Sequence, residues 1–229
     1  MPRTARLLLD GACYHLLTRG NNRAPVFHDR EDFQTYCRLL GQYLPAHQIH
    51  LYHYCLMSNH VHLVVEAPQT TGLTKAMHGL NLSYAQAYKR RYGHTGHFWQ
   101  DRFKSLLIAK DSYLLQCGVY VESNPVRARM VSSPEAYPWS SYRVYASGYP
   151  DPLLTLNPLY LGLGATMSLR QARYRQFVQE QLPPLPATWT AQRALGSSTF
   201  LQGLTTRLGH PITLRPRGRP RILDATSQP

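Results

Sequence analysis

Apolar residues in the first half of the chain change period several times, and each period predicts a type of secondary structure. Apolar runs typical of buried strands lie at four places: Cys13–Thr18, Ile49–Met57, His60–Val65 and Phe103–Ala109. A three-to-four-residue spacing, typical of amphipathic helices, occurs in three segments: Phe33–Leu44, Leu73–Tyr88 and the residues after Asp111. The order β-α-β-β-α-β-α predicts an α+β fold of the ferredoxin-like type, with helices on one or both sides of a mostly antiparallel sheet.

Local signals set the ends of these elements. Asp29 and Asp111 are candidate N-caps for the first and third helices. The connection Ser58-Asn59 has the size of a hairpin turn, so its two flanking strands are predicted to pair. Pro125 disfavours helical geometry in the residue before it, which predicts that the third helix ends near Asn124.

After residue 145 the alternation of strand and helix patterns ends, and clusters of helix- and strand-breaking residues appear. Breaker clusters occupy Ser147–Pro152 and Leu182–Pro186, and helical segments are predicted near 169–181 and 198–208. We therefore divide the chain into an α+β domain at 1–145, a helical extension with a Pro-rich spacer at 146–209, and a flexible basic tail at 210–229.

Charge and aromatic content favour nucleic acid as the partner. The 229 residues include 25 Lys and Arg against 12 Asp and Glu, for a net charge of +13, and 16 tyrosines. Cationic side chains contact phosphates and flat rings stack on bases. A membrane surface is the weaker interpretation, because no apolar stretch of about 18 residues and no basic amphipathic anchor is present. The N-terminus has no secretory signal, and four cysteines without C-x-x-C spacing predict reduced thiols in a cytoplasmic protein.

Two histidines in a strand candidate suggest metal chemistry. His60 and His62 lie two residues apart, so a strand would direct both imidazoles to the same face. Neutral imidazole is a common ligand of divalent metals. Among 11 histidines, however, an isolated H-x-H pair is also compatible with a half-solvated strand face.

The third predicted helix carries a second candidate group. Tyr120 and Asn124 are four residues apart and share a helix face, whereas Glu122 lies off that face. A phenol can act as a nucleophile and a carboxamide oxygen can bind a hard metal ion. Spacing alone does not select Tyr120, because Tyr113 lies two turns earlier on nearly the same face.

Several motifs together resemble a known family. Met57–Val65 (MSNHVHLVV), followed by Tyr120–Ala128 (YVESNPVRA), resembles the paired signature of single-tyrosine HUH transposases of the IS200-like type. More narrowly, the chain resembles the REP-associated tyrosine transposases, which bacteria carry near repetitive extragenic palindromes. Tyr14–Arg23 and Gly96–Ser105 support this resemblance, which spans roughly residues 8 to 145.

The resemblance implies cleavage and rejoining of single-stranded hairpin DNA. His60, His62 and Asn124 would hold Mg2+ or Mn2+, and Tyr120 would attack one phosphate to give a 5′-phosphotyrosine and a free 3′-OH. Asn59 could orient this site or be only a turn residue, and we favour the turn. The resemblance also implies a ferredoxin-like sheet that carries the histidines on a central strand, and it favours a monomer over a dimer.

Further residues are candidates for DNA binding. Four of them follow the first strand and two lie in the Gly96–Ser105 segment: Arg19, Asn21, Asn22, Arg23, Trp99 and Arg102. Trp99 could stack on an unpaired base or could instead cover the core. The run Lys89–Arg91 is interpreted as a general phosphate-facing surface.

The basic tail suggests contact with duplex DNA that flanks the hairpin. Its cations alternate with residues that keep the backbone extended: Arg215, Arg217, Arg219 and Arg221. This pattern resembles an AT-hook, in which Arg-Gly-Arg-Pro lies in the minor groove. A plain basic tail that binds phosphate without reading sequence remains the alternative.

Two other functions stay open at this point. The first is a domesticated hairpin-binding protein without turnover, against which the intact set of His60, His62, Tyr120 and Asn124 argues. The second is a rolling-circle replication initiator or relaxase, but the sequence contains no helicase-like P-loop. We expect a nucleoid-associated enzyme of the bacterial cytoplasm.

Overall fold

In the computed structural model, residues 6–181, 193–209 and 212 are described. The strands are β1 (Ala12–Arg19), β2 (His50–Met57), β3 (His60–Ala67), β4 (Lys104–Ile108) and β5 (Ala194–Leu195). The helices are α1 (Arg30–Ala46), α2 (Thr70–Tyr92), α3 (Ser112–Glu122), α4 (Asn124–Arg127), α5 (Tyr142–Ser147), α6 (Pro158–Leu161), α7 (Met167–Gln181) and α8 (Ser198–Leu208). Short 3-10 turns lie at Asn21–Arg23 and Pro134–Ala136.

The strands form one sheet in the order β2-β3-β1-β4-β5. The first four strands pair antiparallel, and β5 joins the edge of β4 in parallel. An antiparallel sheet in this strand order, with α1 and α2 as its first two helices, is the ferredoxin-like arrangement, so the predicted fold class is confirmed. The sequence pattern did not predict β5.

The two faces of the sheet are covered by different helices. One face packs with α1 and α2 around large buried side chains that include Tyr14, Leu63, Tyr36 and Tyr84. The predicted cap Asp29 begins α1, because its carboxylate accepts from the backbone N–H groups of residues 31 and 32. The opposite face contacts α3 through a second apolar cluster. The candidate site residues His60 and His62 of β3 and Tyr120 of α3 lie on this second face.

Helix α3 begins and ends close to the predicted positions. The Asp111 side chain accepts from the N–H of Tyr113, as expected of an N-cap. The helix ends at Glu122, but a short helix, α4, begins at Asn124. The predicted end of the third helix near Asn124 is therefore confirmed, and α4 is a separate short helix that the sequence pattern did not predict. Pro125 stands in the first turn of α4, where the missing N–H of proline breaks no helical bond.

Residues after 124 pack against the α+β core. Helix α5 crosses position 145, the predicted boundary between the first two segments. Its residues share an apolar cluster with α3, α6 and α7: Leu115, Val119, Tyr142, Tyr145, Tyr160, Tyr174 and Val178. The spacer 182–186 lies outside the described residues, and so does the tail 210–229 except for residue 212. In the described part, no helix is long and apolar enough to cross a membrane.

Later segments of the chain also form backbone hydrogen bonds with the strands β2 and β4. At β2, the N–H of Leu56 donates to the carbonyl of Trp139 over 2.9 Å. At β4, the N–H of Leu107 donates to the carbonyl of Arg193 over 3.0 Å.

Candidate active site

The sheet register places the two histidines on the face covered by α3. His60 lies opposite Arg19 of β1, and His62 lies opposite Leu17. The two imidazole ring centroids are 4.8 Å apart, in an edge-to-face arrangement. The expectation that both rings share one face is therefore confirmed.

His62 is buried and pairs with a third histidine. Its Nδ1 lies 2.7 Å from Nε2 of His15, and the two rings stack with centroids 4.9 Å apart. Burial, with smaller contributions from neighbouring histidines and arginines, holds the pKa of His62 well below its usual value. Burial likewise lowers the pKa of His15 to about 4. Both rings are neutral near pH 7.

Sequence reasoning missed His15 as a site residue. It stands two positions before Leu17, so strand alternation places it on the same face as His62. That signal becomes usable only when the pairing of β1 with β3 and its register are known.

Asn59 orients the ring of His60. The Asn59 amide nitrogen donates to the carbonyl of Arg23 over 2.9 Å, which turns Oδ1 toward His60 Nδ1 at 2.6 Å. An amide oxygen only accepts, so the proton of neutral His60 lies on Nδ1 and its lone pair on Nε2. Interpreting Asn59 as only a turn residue is therefore wrong. Burial, followed by the charge of Arg19, lowers the pKa of His60 to about 4.

Helix α3 brings Tyr120 next to the histidines. The ring centroid of Tyr120 lies 5.9 Å from His15 and 6.1 Å from His62. The Arg127 guanidinium lies 4.7 Å from the centroid of the Tyr120 ring and forms a hydrogen bond with its side chain. Burial raises the pKa of Tyr120, while the charge of Arg127 opposes that shift. Sequence reasoning gave Arg127 no role, although the residue stands within the quoted motif.

Asn124 presents a fixed amide one turn after Tyr120. Its nitrogen donates to the carbonyls of Tyr120 and Val121 over 2.9 and 3.1 Å. Both bonds use amide hydrogens, so the oxygen is the end left for another partner. Within the described ranges, no three His, Cys, Asp or Glu side chains form a metal-binding group. A third protein ligand for a metal at the two histidines would have to be of another type, and Asn124 has suitable chemistry.

The predicted DNA-binding segments lie side by side. The N–H of Asn21 donates to the Phe98 carbonyl over 2.8 Å, and the N–H of Gln100 donates to the Arg19 carbonyl over 2.9 Å. The residues Asn22 and Arg23 are exposed and have left-handed backbone angles, with φ of 50° and 59°. These two segments therefore form one continuous rim next to His60.

The remaining candidates differ in their surroundings. The Trp99 indole N–H donates to the Asn81 carbonyl over 2.9 Å, and its half-buried ring packs on the core. This contact gives Trp99 the structural role that the sequence left open, and base stacking stays a prediction. Arg102 is exposed. The arginines at 215, 217, 219 and 221 lie outside the described residues.

Arg91 does not belong to a free phosphate-facing surface. Its guanidinium forms ion pairs with Asp29, Glu31 and Asp32 at 2.6, 3.0 and 2.7 Å, at the start of α1. The interpretation of Lys89–Arg91 as one phosphate-binding run is therefore wrong for Arg91.

Comparison with protein families is consistent with this geometry. The model of a family described as IS200-like transposase matches residues 9–124. The match covers just over half of the 229 residues, from before β1 to the first residue of α4. The chain belongs to the IS200-like transposase family. The resemblance to the IS200-like type is thus confirmed, and the matched family region contains His60, His62, Tyr120 and Asn124.

One solved structure shares the fold of this chain. A REP-associated tyrosine transposase bound to a REP hairpin matches with a TM-score of 0.53 and 15% identity, over 67% of this chain and 90% of its own. A putative transposase from Deinococcus radiodurans R1 matches with a TM-score of 0.37 and 21% identity, over 53% of this chain and 97% of its own. Comparison with curated protein sequences gives no significant match.

Proposed function

We propose that this IS200-like transposase cleaves and rejoins single-stranded DNA at hairpins, with Tyr120 as nucleophile and a divalent metal ion at His60, His62 and Asn124. The observation that carries the proposal is the meeting of the two histidines with the Tyr120 ring, whose centroid lies 6.1 Å from that of His62. The Nδ1 atoms of both histidines already have partners within the described residues. Their Nε2 atoms have no hydrogen-bond partner in the part of the chain that the structure describes, so they can bind a ligand.

The donor set fits Mg2+ or Mn2+. Two neutral imidazoles and one amide oxygen are ligands of intermediate hardness, and three ligands leave positions for phosphate oxygens and water. A bound ion would neutralise charge on the scissile phosphate. The low pKa of His60, about 4, keeps its ring neutral and able to bind metal at physiological pH.

The reaction that we propose conserves the energy of the phosphodiester bond. The Tyr120 oxygen bonds to phosphorus as its proton passes to solvent, the bond from phosphorus to the 3′ oxygen breaks, and that oxygen gains a proton. The products are a 5′-phosphotyrosine and a free 3′-OH, and attack by another 3′-OH reverses the step. The Arg127 guanidinium would stabilise the phenolate form of Tyr120 and the charge on phosphate.

Hairpin DNA is the substrate that we favour. The solved transposase with the same fold is bound to a REP hairpin. In this chain, the rim formed by the segments at 19–23 and 98–102 lies beside the histidines and carries the exposed cations Arg23 and Arg102. Contacts between this rim and DNA backbone would direct a single strand toward Tyr120.

Purified full-length protein, Mg2+ and labelled single-stranded hairpins provide the test. We expect a covalent protein-DNA adduct that Tyr120→Phe abolishes, because only the attacking hydroxyl is removed, while hairpin binding stays within a few-fold of wild type. Tyr113→Phe, on the same helix, is the matched control and should form the adduct normally. Excess EDTA should suppress the adduct.

Each other outcome has a distinct meaning. Adduct formation by Tyr120→Phe would contradict the nucleophile, and full cleavage in EDTA would contradict the metal. Hairpin binding without any adduct in the wild-type protein would favour the domesticated binder.

A further inference from the structure

We infer that His15 is a positioning residue, which holds His62 in the tautomer that directs the Nε2 lone pair toward the metal ion. This inference rests on the proposed function. The contact that supports it is buried on both sides, because His15 and His62 are 7% and 3% exposed. Their nitrogens are 2.7 Å apart, a normal hydrogen-bond distance.

Two neutral imidazoles can share this bond in only two ways. Either His62 donates from Nδ1 to His15, or His15 donates from Nε2 to His62. In the first case Nε2 of His62 carries a lone pair, and in the second it carries a hydrogen and cannot bind a metal. The tautomer of His62 therefore decides whether the site can form.

Surrounding charge favours the first arrangement. Arg19 lies opposite His60, at the open end of β1 and β3, whereas His15 lies opposite Val64, further into the sheet. The charges of Arg19 and Arg127 both act on His62. A lone pair directed toward the open, cationic end is electrostatically better than an N–H there.

A histidine suits this position better than a carboxylate would. Metal-bound histidines usually donate their other N–H to a carboxylate, a carbonyl or water. A carboxylate at residue 15 would bring a negative charge into a buried position at a cost in desolvation, whereas neutral imidazole accepts the same bond without charge. The edge of His15 also meets Tyr120, with centroids 5.9 Å apart, so one side chain contacts both the ligand and the nucleophile.

The tautomer can be measured on the metal-free full-length protein. Long-range 1H–15N correlation spectra distinguish Nδ1–H from Nε2–H imidazoles, and we expect His62 to carry its proton on Nδ1. His15→Leu removes the acceptor, so His62 should lose this fixed tautomer and Mn2+ affinity should fall about 10- to 100-fold. His15→Gln offers an amide oxygen as acceptor and should restore most of the affinity. Free Mn2+ is measured by electron paramagnetic resonance.

Thr18→Val is the matched control, since Thr18 is buried on the other face of the same strand. It should leave Mn2+ affinity and the His62 tautomer unchanged. A wild-type His62 protonated on Nε2, or wild-type Mn2+ affinity in His15→Leu, would overturn the inference. If His15→Leu does not fold, the inference is tested by the His62 tautomer of the wild-type protein and by the Mn2+ affinity of His15→Gln. Failure of the wild-type protein to bind Mn2+ would overturn the metal proposal, while an Nδ1–H tautomer would still support the role of His15 in fixing the ring.

Discussion

Two buried histidines on the same face of the sheet have opposite surroundings. His53 on β2 and His62 on β3 both face α3, and both use Nδ1 in a buried hydrogen bond. At His53, Nδ1 lies 2.8 Å from a Glu122 oxygen, and Nε2 lies 3.0 Å from the Asn157 amide nitrogen. Both nitrogens of His53 are thus occupied, whereas at His62 only Nδ1 is paired within the described part of the chain. We name these the closed and the open histidine clusters.

The closed cluster joins α3 to the later helices. Glu122 is fully buried and also accepts from the hydroxyls of Ser141 and Tyr174, at 2.5 and 2.6 Å. Its partners therefore come from β2, from the residues just before α5, and from α7. A buried carboxylate with three hydrogen-bond partners on three elements joins those elements together.

The comparison teaches that burial of a histidine does not mark a functional site. Both clusters are buried and hydrogen-bonded, and they differ in what meets Nε2. The Asn157 side chain pairs with Nε2 of His53, whereas Nε2 of His62 has no hydrogen-bond partner among the described residues and its ring lies beside that of Tyr120. The free ring nitrogen is the feature that carries chemistry.

Breaking the closed cluster should produce the largest effect, on stability. Glu122→Ala leaves His53, Ser141 and Tyr174 without their shared acceptor, and we expect the free energy of unfolding to fall by about 3 to 5 kcal/mol. Urea denaturation measures this change. Glu180→Ala, which removes an exposed carboxylate on α7, is the control and should cost less than about 0.5 kcal/mol. Equal effects of the two variants would contradict the bracing role of Glu122.

Breaking the open cluster should affect activity more than stability. His60→Ala and His62→Ala each remove one proposed ligand, so hairpin cleavage should fall by more than about 100-fold. Calorimetry should show a heat of Mn2+ binding that vanishes in the double variant. Wild-type cleavage in either variant would exclude the two-histidine site.

A smaller effect is expected where α3 approaches the closed cluster. A Cβ at Gly118 would lie 2.5 Å from the His53 ring, so Gly118→Ala should push α3 away and cost about 1 to 3 kcal/mol. A Cβ at Gly203 on α8 would meet no atom of the described residues within 4 Å, apart from its own helix backbone, so Gly203→Ala should be neutral or stabilising by up to about 1 kcal/mol. Equal unfolding midpoints in urea for the two variants would show that the His53 ring moves aside with no loss of stability.

The smallest effect concerns pH in the metal-free protein. Burial lowers the pKa of His15 and of His60 to about 4, below the ordinary value of 6.5. Between these values the unfolded chain binds more protons than the folded one, so stability should be full above pH 6.5 and decline as pH falls toward 4. His15→Gln should flatten this decline, as seen in urea midpoints at pH 7 and pH 5. An unchanged slope would mean that His15 contributes nothing to it.

Sequence periodicity was sufficient for the elements that form the body of the fold. The first four strands and α1 to α3 have long apolar patterns and clear caps such as Asp29 and Asp111. Helices α4 and α6 and strand β5 contain four residues or fewer, too few to show a period. Their formation depends on what they pack against.

In the candidate site, too, local features could be predicted from the sequence and long-range contacts could not. The H-x-H pair was predictable because strand alternation is a local property, and Glu122 was correctly placed away from the Tyr120 face. The partner of His62 lies 47 residues away in sequence, and the partners of Glu122 lie 19 to 69 residues away. Such contacts depend on strand register and helix packing, which no local pattern contains.

The backbone hydrogen bonds that the carbonyls of Trp139 and Arg193 accept from β2 and β4 have a consequence for aggregation. The region matched by the family model ends at residue 124, and in isolation it would leave the outer strands β2 and β4 unpaired at both margins. Unpaired strand margins recruit strands from other molecules and lead to aggregation. Residues beyond the match occupy both positions, with Trp139 beside β2 and Arg193 beside β4. The later part of the chain thus occupies positions at both margins of the sheet to which a strand of another copy could otherwise pair.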